Sequence, residues 1–476
     1  MWPSQPVVYQ IYPRSFQDSD GDGVGDLKGI ASRLDHLVEL GVDALWLSPI
    51  YPSPLADFGY DVSDYTAVDP VYGTLDDLDA LVSAAHGRGL RLLLDLVPCH
   101  TSIEHPWFRE HPDWYIWADR PNNWLGAFGG SAWTFHEGHG RYYLHSFYPE
   151  QPDLDWRNPE VVEAMHGVFR FWLERGVDGF RIDAIDRLLK DPELRDDPPA
   201  SEPFGLPVRE DEARLALSNS RNHPDTSAAL AGIRRAVGDA FLVGEVYLPS
   251  AKWQPYVEHL DAVFAFELLH APFEAEPLRA AVEAATGLRG RRGRGAAWVM
   301  SNHDFGRMAT RFGVENTRAA ALLLLTLPGT AFVYQGDEIG QVEGPGADPP
   351  LDRAGRDRHR HPMQWDPAPG GGFTGGEPWL PLVDPERRSV AAQAGDPDSM
   401  LSLYRDLIAL RPRLGPDIRM VDAEPGVLAY ERGEHLVAIN VSDRELAAPA
   451  SGALLESERG ALRDGRLAPH SGAVVV

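Results

Sequence analysis

The sequence has little cysteine and no long hydrophobic run. Cys99 is the only cysteine among 476 residues, so an intramolecular disulfide framework is excluded. No stretch of about 18 consecutive apolar residues, the length of a membrane-spanning helix, occurs. The chain enters a strand-like segment at once, without the charged and apolar regions of a signal peptide. We therefore expect a cytoplasmic protein with no membrane partner.

Basic residues are also scarce relative to acidic ones. The chain carries 44 Lys and Arg against 71 Asp and Glu, a formal net charge of -27, which disfavours nucleic acid and anionic membranes as partners. Its one basic segment, RGRRGRG at 289–295, lies among glycines and is interpreted as a solvated loop. The composition is typical of a soluble globular enzyme, and we expect a monomer or a small homo-oligomer.

Short apolar runs recur along the chain with helical patterns between them. Nearly continuous hydrophobicity is typical of strands that are buried on both faces of a parallel sheet. Eight strand and helix alternations predict an α/β fold, a (β/α)8 TIM barrel. The eight runs are VVYQIYP (7–13), ALWLSP (44–49), LRLLLDLV (90–97), VDGFRIDA (177–184), FLVGEV (241–246), AVFAFEL (262–268), AAWVMSNHD (296–304) and TAFVYQGDE (330–338).

Two departures from the barrel pattern predict additional domains. About sixty residues rich in Trp, Pro, Gly and His follow the third strand, far more than the usual ~2 to 6 residues of such a loop. Short alternating apolar runs at the C-terminus suggest a small β-sandwich. The predicted divisions are the first part of the barrel (1–97), an inserted domain (98–160), the second part of the barrel (161–412) and a C-terminal β domain (413–476).

Three carboxylates end buried strands of the predicted barrel. Arg181 and Asp183 point to the same face of their strand, and Glu245 and Asp304 end two later strands. Active sites of such barrels lie at the rim formed by the C-terminal ends of the strands. A purely structural buried ion pair is the alternative, but it is costly to bury. An ionised carboxylate beside an arginine and a second, protonated carboxyl are what a retaining glycosidase requires.

The segments GFRIDAI, VGEV, SNHD and DLVPCH carry these residues. They resemble the four signature regions of the α-amylase superfamily, glycoside hydrolase family 13. That resemblance implies that Asp183 is the nucleophile, Glu245 the general acid/base and Asp304 the transition-state stabiliser. It also implies that three further residues line the subsite of the attacked glucose: His100, Arg181 and His303.

Other motifs are similar to the oligo-1,6-glucosidase and α-glucosidase branch. These are QIYPRSFQDSDGDGVGDLKGI, GYDVSDY, QPDLDW and RHPMQW. In this branch DFGYD would supply Asp57 and Tyr60 to the terminal glucose. Asp57 would pair with an arginine of the loop after the eighth strand, Arg356 or else Arg360. Such a pair blocks the pocket beyond one glucose, which implies an exo-acting enzyme.

The residue after the nucleophile is Ala184. In the resembling family this position is Val in many α-1,6-specific members and Ala or Thr where α-1,4 links are preferred. We therefore expect an α-glucosidase that acts on short α-glucosides with preferred α-1,4 or mixed linkage, with transglucosylation as an accompanying activity. A glucosyltransferase, a sucrose-acting enzyme and a trehalose-forming enzyme remain as alternatives, and a non-catalytic sugar-binding or scaffold protein is a remote one.

The segment DSDGDGVGD predicts a Ca2+ site. Its oxygen donors suit a hard cation. Four aspartates on one turn would repel one another without a cation. The alternative interpretation is an acidic surface turn that binds no metal. The branch resemblance agrees with a structural ion, and no organic cofactor is expected. The predicted ligands are Asp18, Asp20, Asp22, Asp26 and the carbonyl of Val24.

Two positions depart from the family pattern. Cys99 stands where asparagine is usual before the histidine of the first signature region, which makes a second calcium site there doubtful. Asp155 stands where the branch usually has asparagine, close to the expected pocket entrance.

Overall fold

The computed structural model describes residues 2–288, 290, 295–449 and 451–476. The strands in chain order are β1 (Val7–Ile11), β2 (Ala44–Leu47), β3 (Arg91–Leu96), β4 (Trp117–Ala118), β5 (Trp133–His136), β6 (Arg141–Leu144), β7 (Gly179–Ile182), β8 (Phe241–Gly244), β9 (Ala262–Phe264), β10 (Ala296–Trp298), β11 (Thr330–Tyr334), β12 (Arg419–Val421), β13 (Val427–Arg432), β14 (His435–Asn440), β15 (Leu446–Ala447), β16 (Ala453–Glu456), β17 (Leu462–Arg463), β18 (Arg466–Leu467) and β19 (Ser471–Val475). Eight of them form a closed barrel of parallel strands at the centre, with the spatial order β1-β11-β10-β9-β8-β7-β3-β2.

The barrel strands coincide with the eight predicted runs, and the predicted fold class is confirmed. Their continuous hydrophobicity has a direct cause. In β1, Val7 and Tyr9 belong to the core between the strands and the surrounding helices, whereas Val8 belongs to the cluster that fills the barrel interior with Trp46 and Val243. Because both faces of each strand are buried, neither face has polar residues over most of its length.

Helices connect the barrel strands and cover the outside of the barrel. Two of the helices begin at side-chain caps: Thr74 and Asp77 form a reciprocal capping box, and the Asn158 side chain caps the helix that begins at Pro159. The helices are α1 (Leu27–Ser32), α2 (Leu34–Leu40), α3 (Leu75–His86), α4 (Pro106–Glu110), α5 (Pro159–Glu174), α6 (Thr226–Val237), α7 (Gln254–Val257), α8 (Phe266–His270), α9 (Ala275–Thr286), α10 (Met308–Arg311), α11 (Thr317–Thr326), α12 (Val390–Gln393) and α13 (Met400–Leu410).

Two further regions extend the barrel. The long connection after β3 contains a three-stranded antiparallel sheet with the order β4-β6-β5. After α13 the chain forms a five-stranded sheet, β12-β13-β14-β19-β16, and a three-stranded sheet, β15-β18-β17. These sheets fall within the predicted ranges 98–160 and 413–476; the domain boundaries themselves stay predictions.

Across the described ranges, no helix combines the length and the hydropathy needed to cross a bilayer. Most of the basic segment 289–295 lies outside the described residues, so its prediction as a solvated loop stays a prediction.

Candidate active site

A cavity of about 570 Å³ lies at the C-terminal ends of the barrel strands. The chain segments that follow β7, β8 and β10 bring Asp183, Glu245 and Asp304 to its surface. Asp57, Tyr60, His100 and Arg356 also line it. The fold therefore brings residues predicted from distant parts of the sequence to one cavity.

Arg181 connects the carboxylates from beneath. Its Nη1 atom donates to Asp183 Oδ1 at 2.6 Å and to Asp95 Oδ1 at 2.8 Å. Its Nη2 atom donates to Glu245 Oε2 at 2.6 Å. The arginine side chain is 3% exposed, so these are buried charge-assisted hydrogen bonds, which are short and strong. One guanidinium thus fixes the relative position of the predicted nucleophile and the predicted acid.

The charge of Asp183 depends on the groups around it. Burial raises the pKa of Asp183 above its ordinary value, Arg181 opposes this, and the neighbouring carboxylates of Glu245 and Asp95 add to the increase. Carboxylates held this closely repel one another, so the neighbouring acids disfavour a negative charge on Asp183, whereas Arg181 favours it. A double-displacement reaction requires an ionised nucleophile beside a protonated acid.

Asp304 is held in the ionised form. Burial opposes its ionisation, but His303 and the guanidinium groups of Arg356 and Arg360 outweigh this effect and keep the pKa of Asp304 well below its usual range. Its Oδ1 atom accepts from Arg356 at 2.8 Å and from Arg360 at 3.3 Å. A permanent negative charge at this position can stabilise positive charge that develops on a substrate.

One end of the cavity is closed by an ion pair between the two halves of the barrel. Arg356 Nη2 donates to Asp57 Oδ1 at 2.5 Å, and the same guanidinium binds Asp352. Gln151 donates to the other oxygen of Asp57 at 3.0 Å and lies 2.9 Å from His100 Nε2. Of the two arginines considered for the partner of Asp57, the structure brings Arg356 into contact.

Burial controls the charge of this end. It raises the pKa of Asp57 to about 6 even though Arg356 acts in the opposite direction. It lowers the pKa of His100 to about 4, so this imidazole is neutral at pH 7. Asp57 is therefore largely ionised at neutral pH, but it takes up a proton in mild acid.

His303 and Arg181 lie behind the cavity wall. The His303 ring is fully buried and stacks on Tyr60 with ring centroids 5.4 Å apart. Its Nε2 atom is 2.5 Å from the Tyr60 hydroxyl, which donates to Asp95 at 2.9 Å. Asp95 is a site residue that was not predicted, although it lies near the end of the run LRLLLDLV, as the other carboxylates lie at or near the ends of theirs.

The opposite end of the cavity consists of residues that the sequence analysis missed. They come from the short turn after Asp183, from the residues beyond Glu245, and from the loop at about 204–221, whose irregular sequence gave no signal. The lining side chains at this end include Arg187, Arg209, Glu212, Arg221 and Tyr247.

Comparisons with known proteins agree with this geometry. A model of the α-amylase catalytic domain matches residues 10–415. The chain is 41% identical to a probable α-glucosidase of Rhizobium meliloti (strain 1021), over 90% of this chain and 87% of that protein. It is 36% identical to the oligo-1,6-glucosidase of Parageobacillus thermoglucosidasius, over 93% and 91%. The crystal structure of the α-glucosyl transfer enzyme XgtA superposes with a TM-score of 0.91 at 38% identity, covering 100% of both chains.

The chain belongs to the α-amylase family. It is a glycoside hydrolase of family 13, in the oligo-1,6-glucosidase and α-glucosidase branch. The family roles implied by the sequence resemblance fall on three carboxylates that the barrel brings together: Asp183, Glu245 and Asp304.

The predicted calcium loop gathers carboxylates in this family member. Carboxylate oxygens of Asp18, Asp20 and Asp22 lie within 4.8 Å of one another, a donor set that suits Ca2+. The Asp26 carboxylate accepts from Ser19 and caps α1 through the amide of Gly29.

The predicted calcium loop is joined to the loop that closes the cavity. Asp18 Oδ2 accepts from the hydroxyl of Thr374 at 2.5 Å, and the carbonyl of Gly23 accepts from the amide of Trp379 at 3.0 Å. Both partners belong to the long segment after β11 that also carries Arg356. An ion in the calcium loop would therefore stabilise this segment.

A lysine lies beside Cys99, the position at which the sequence argues against a second calcium site. The Lys190 ammonium forms a buried ion pair with Asp153 and is 3.6 Å from Cys99 Sγ. Because burial raises the pKa of the Cys99 thiol to about 12, this thiol is neutral. The other departure, Asp155, accepts from the backbone of Arg157 and lies outside the residues that line the cavity.

Proposed function

We propose that the protein is a retaining, exo-acting α-glucosidase that releases α-glucose from the non-reducing end of short α-glucosides. The observation that carries this proposal is the Arg356 and Asp57 ion pair at 2.5 Å. It closes the cavity behind the three carboxylates, so the space beyond a single terminal sugar is blocked.

Two displacements account for the reaction. Glu245 donates its proton to the glycosidic oxygen while the Asp183 carboxylate attacks the anomeric carbon; the glycosidic bond breaks and a glucosyl ester forms. Glu245 then removes a proton from water, whose oxygen attacks the same carbon and displaces Asp183. Two carboxylates that accept from neighbouring nitrogens of one guanidinium lie close together, which supports the short separation of a retaining enzyme, about 5 to 5.5 Å, over the wider one of an inverting enzyme.

Preferred α-1,4 or mixed linkage is supported by Ala184. Its small side chain lines the cavity beside the nucleophile, and its amide donates to Glu245 at 3.2 Å. Transfer of the glucosyl group to a sugar instead of water is the second candidate activity. It is favoured by the TM-score of 0.91 to the α-glucosyl transfer enzyme XgtA.

We also propose a structural Ca2+ bound by Asp18, Asp20, Asp22, the Val24 carbonyl and Asp26. The support is the clustering of the first three carboxylates. When bound, the ion supplies charge neutralisation to the loop, while the carboxylates of the cavity carry the chemistry.

Hydrolysis of p-nitrophenyl α-glucoside tests the proposed function. We expect turnover by the wild-type protein, loss of turnover in Asp183→Asn, and unchanged turnover in Asp119→Asn, a matched change of an 86% exposed aspartate. Absence of wild-type turnover would instead favour a sugar-binding role. A panel of maltose, isomaltose, sucrose, trehalose and maltotriose, followed by NMR, then distinguishes linkage preference and hydrolysis from transfer.

A further inference from the structure

We propose that Arg187, together with Glu212, binds the leaving sugar through two adjacent hydroxyl groups. This inference rests on the proposed α-glucosidase function and deepens it: it assigns the subsite next to the scissile bond. It predicts a preference for leaving groups that carry a vicinal diol.

The position of Arg187 in the cavity places it on the leaving-group side. The Asp57 and Arg356 pair closes the opposite end, so a substrate extends from the catalytic carboxylates toward the open end. Arg187 and Glu212 line the cavity together with Tyr247, which lies two residues beyond the predicted proton donor. The amide of Tyr247 donates to Asp186 Oδ1 at 3.1 Å, so Arg187 lies on the side of the cavity where the leaving group takes up its proton.

The guanidinium of Arg187 has unused hydrogen-bonding capacity. Its side chain is 9% exposed, and its nearest ion-pair contact within the described chain is Glu212 at 3.6 Å, too long for a hydrogen bond. In the described part of the chain its side-chain nitrogens donate no hydrogen bond, whereas the terminal guanidinium nitrogens of Arg181 and Arg356 donate to carboxylates. Among the described residues, the fully buried polar atoms without a partner include no Arg187 nitrogen. These donors therefore face the cavity, where a ligand can accept hydrogen bonds from them.

The backbone at Arg187 is fixed by contacts within the protein. Ala184 adopts the left-handed conformation with φ 44°, which turns the chain directly after the nucleophile. The carbonyl of Arg187 accepts from Cys99 Sγ at 3.3 Å, and the carbonyl of Asp186 accepts from the amide of Asn222 at 2.6 Å. Because the main chain is already ordered, binding of a sugar has to order only the side chain.

Neighbouring side chains define the chemistry of the subsite. The guanidinium lies over the ring of Phe147, 5.4 Å from its centroid, which orients its plane. Glu212 accepts from Arg221 at 3.1 Å and lies 3.4 Å from Arg209, so two guanidinium groups hold its position. Guanidinium donors beside a carboxylate acceptor match a pair of adjacent sugar hydroxyls, which both donate and accept.

A comparison of two substrates tests the proposal. In Arg187→Ala, we expect kcat/KM for maltose to fall about 10- to 100-fold, the loss of one or two hydrogen bonds to a charged group. We expect kcat/KM for p-nitrophenyl α-glucoside, whose leaving group has no diol, to change less than about threefold. Arg187→Lys should recover part of the maltose activity. Arg214→Ala, on the same loop but 73% exposed, is the matched control and should leave both substrates unchanged.

Equal losses for both substrates would overturn the proposal, because they would indicate that Arg187 only maintains the structure. Unchanged maltose kinetics would also overturn it. Calorimetry gives a readout independent of turnover: Arg187→Ala should weaken maltose binding to the Asp183→Asn protein but leave glucose binding unchanged. Absence of wild-type turnover with selective loss of maltose binding would refute the proposed function and still support the subsite; absence of both would refute both.

Discussion

Replacing Arg356 by glutamine should weaken binding of the terminal glucose through a change in the charge of Asp57. The pKa of Asp57 is about 6 with the guanidinium present, and loss of an adjacent cation raises a carboxyl pKa by roughly 1 to 3 units. Asp57 would then be mostly protonated at pH 7. Losing one or two charged hydrogen bonds to glucose hydroxyls costs about 3 kcal/mol, or roughly 100-fold in kcat/KM.

The pH profile separates this explanation from general damage. In the wild-type protein, kcat/KM for p-nitrophenyl α-glucoside should fall as the pH decreases through about 6, because Asp57 takes up a proton. In Arg356→Gln this fall in kcat/KM should occur at a higher pH. The matched control is Arg353→Ala, on the same loop and 52% exposed, which should leave both rate and profile unchanged. The reasoning would be refuted if kcat/KM of Arg356→Gln stayed within threefold of wild type, or if its fall at acidic pH were not shifted.

Three further outcomes are expected. Calcium chelation should lower the melting temperature by several degrees and change the initial rate little; an unchanged melting temperature argues against the site at 18–26. Ala184→Val should shift the kcat/KM ratio toward isomaltose over maltose by about 5- to 100-fold, the effect of one to a few kcal/mol in a pocket; a constant ratio would remove the linkage argument. Lys190→Ala should reduce the free energy of unfolding by about 3 to 5 kcal/mol, since it leaves Asp153 buried and unpaired, and Lys190→Met with Asp153→Asn should recover most of it in urea unfolding.

The barrel and its catalytic end were predictable from the sequence because they depend on local patterns. Strands buried on both faces have continuous apolar sequences, and a charged residue at the end of such a run indicates the C-terminal rim of the barrel. Asp183, Glu245 and Asp304 were found in this way, and Asp95 carries the same signal. The ion pair between Asp57 and Arg356 required the family resemblance, because 299 residues separate its members.

The leaving-group end could not be predicted because long-range contacts determine its shape. Arg209, for example, donates to the carbonyls of Gly126 and Ala127, and so connects the loop after β7 to the inserted domain. No periodicity marks such a contact. Arg187 follows the motif GFRIDAI after a single intervening residue, Asp186. The direction of its side chain depends on the left-handed turn at Ala184.

The central claim is that Asp183 attacks the anomeric carbon within the carboxylate cluster. Trapping with 5-fluoro-α-glucosyl fluoride, followed by peptide mass spectrometry, tests this most directly. We expect one covalent label, on Asp183, with activity recovering as the ester hydrolyses. A label on any other residue would contradict the account. So would the absence of a trapped ester together with β-glucose as the first anomer released.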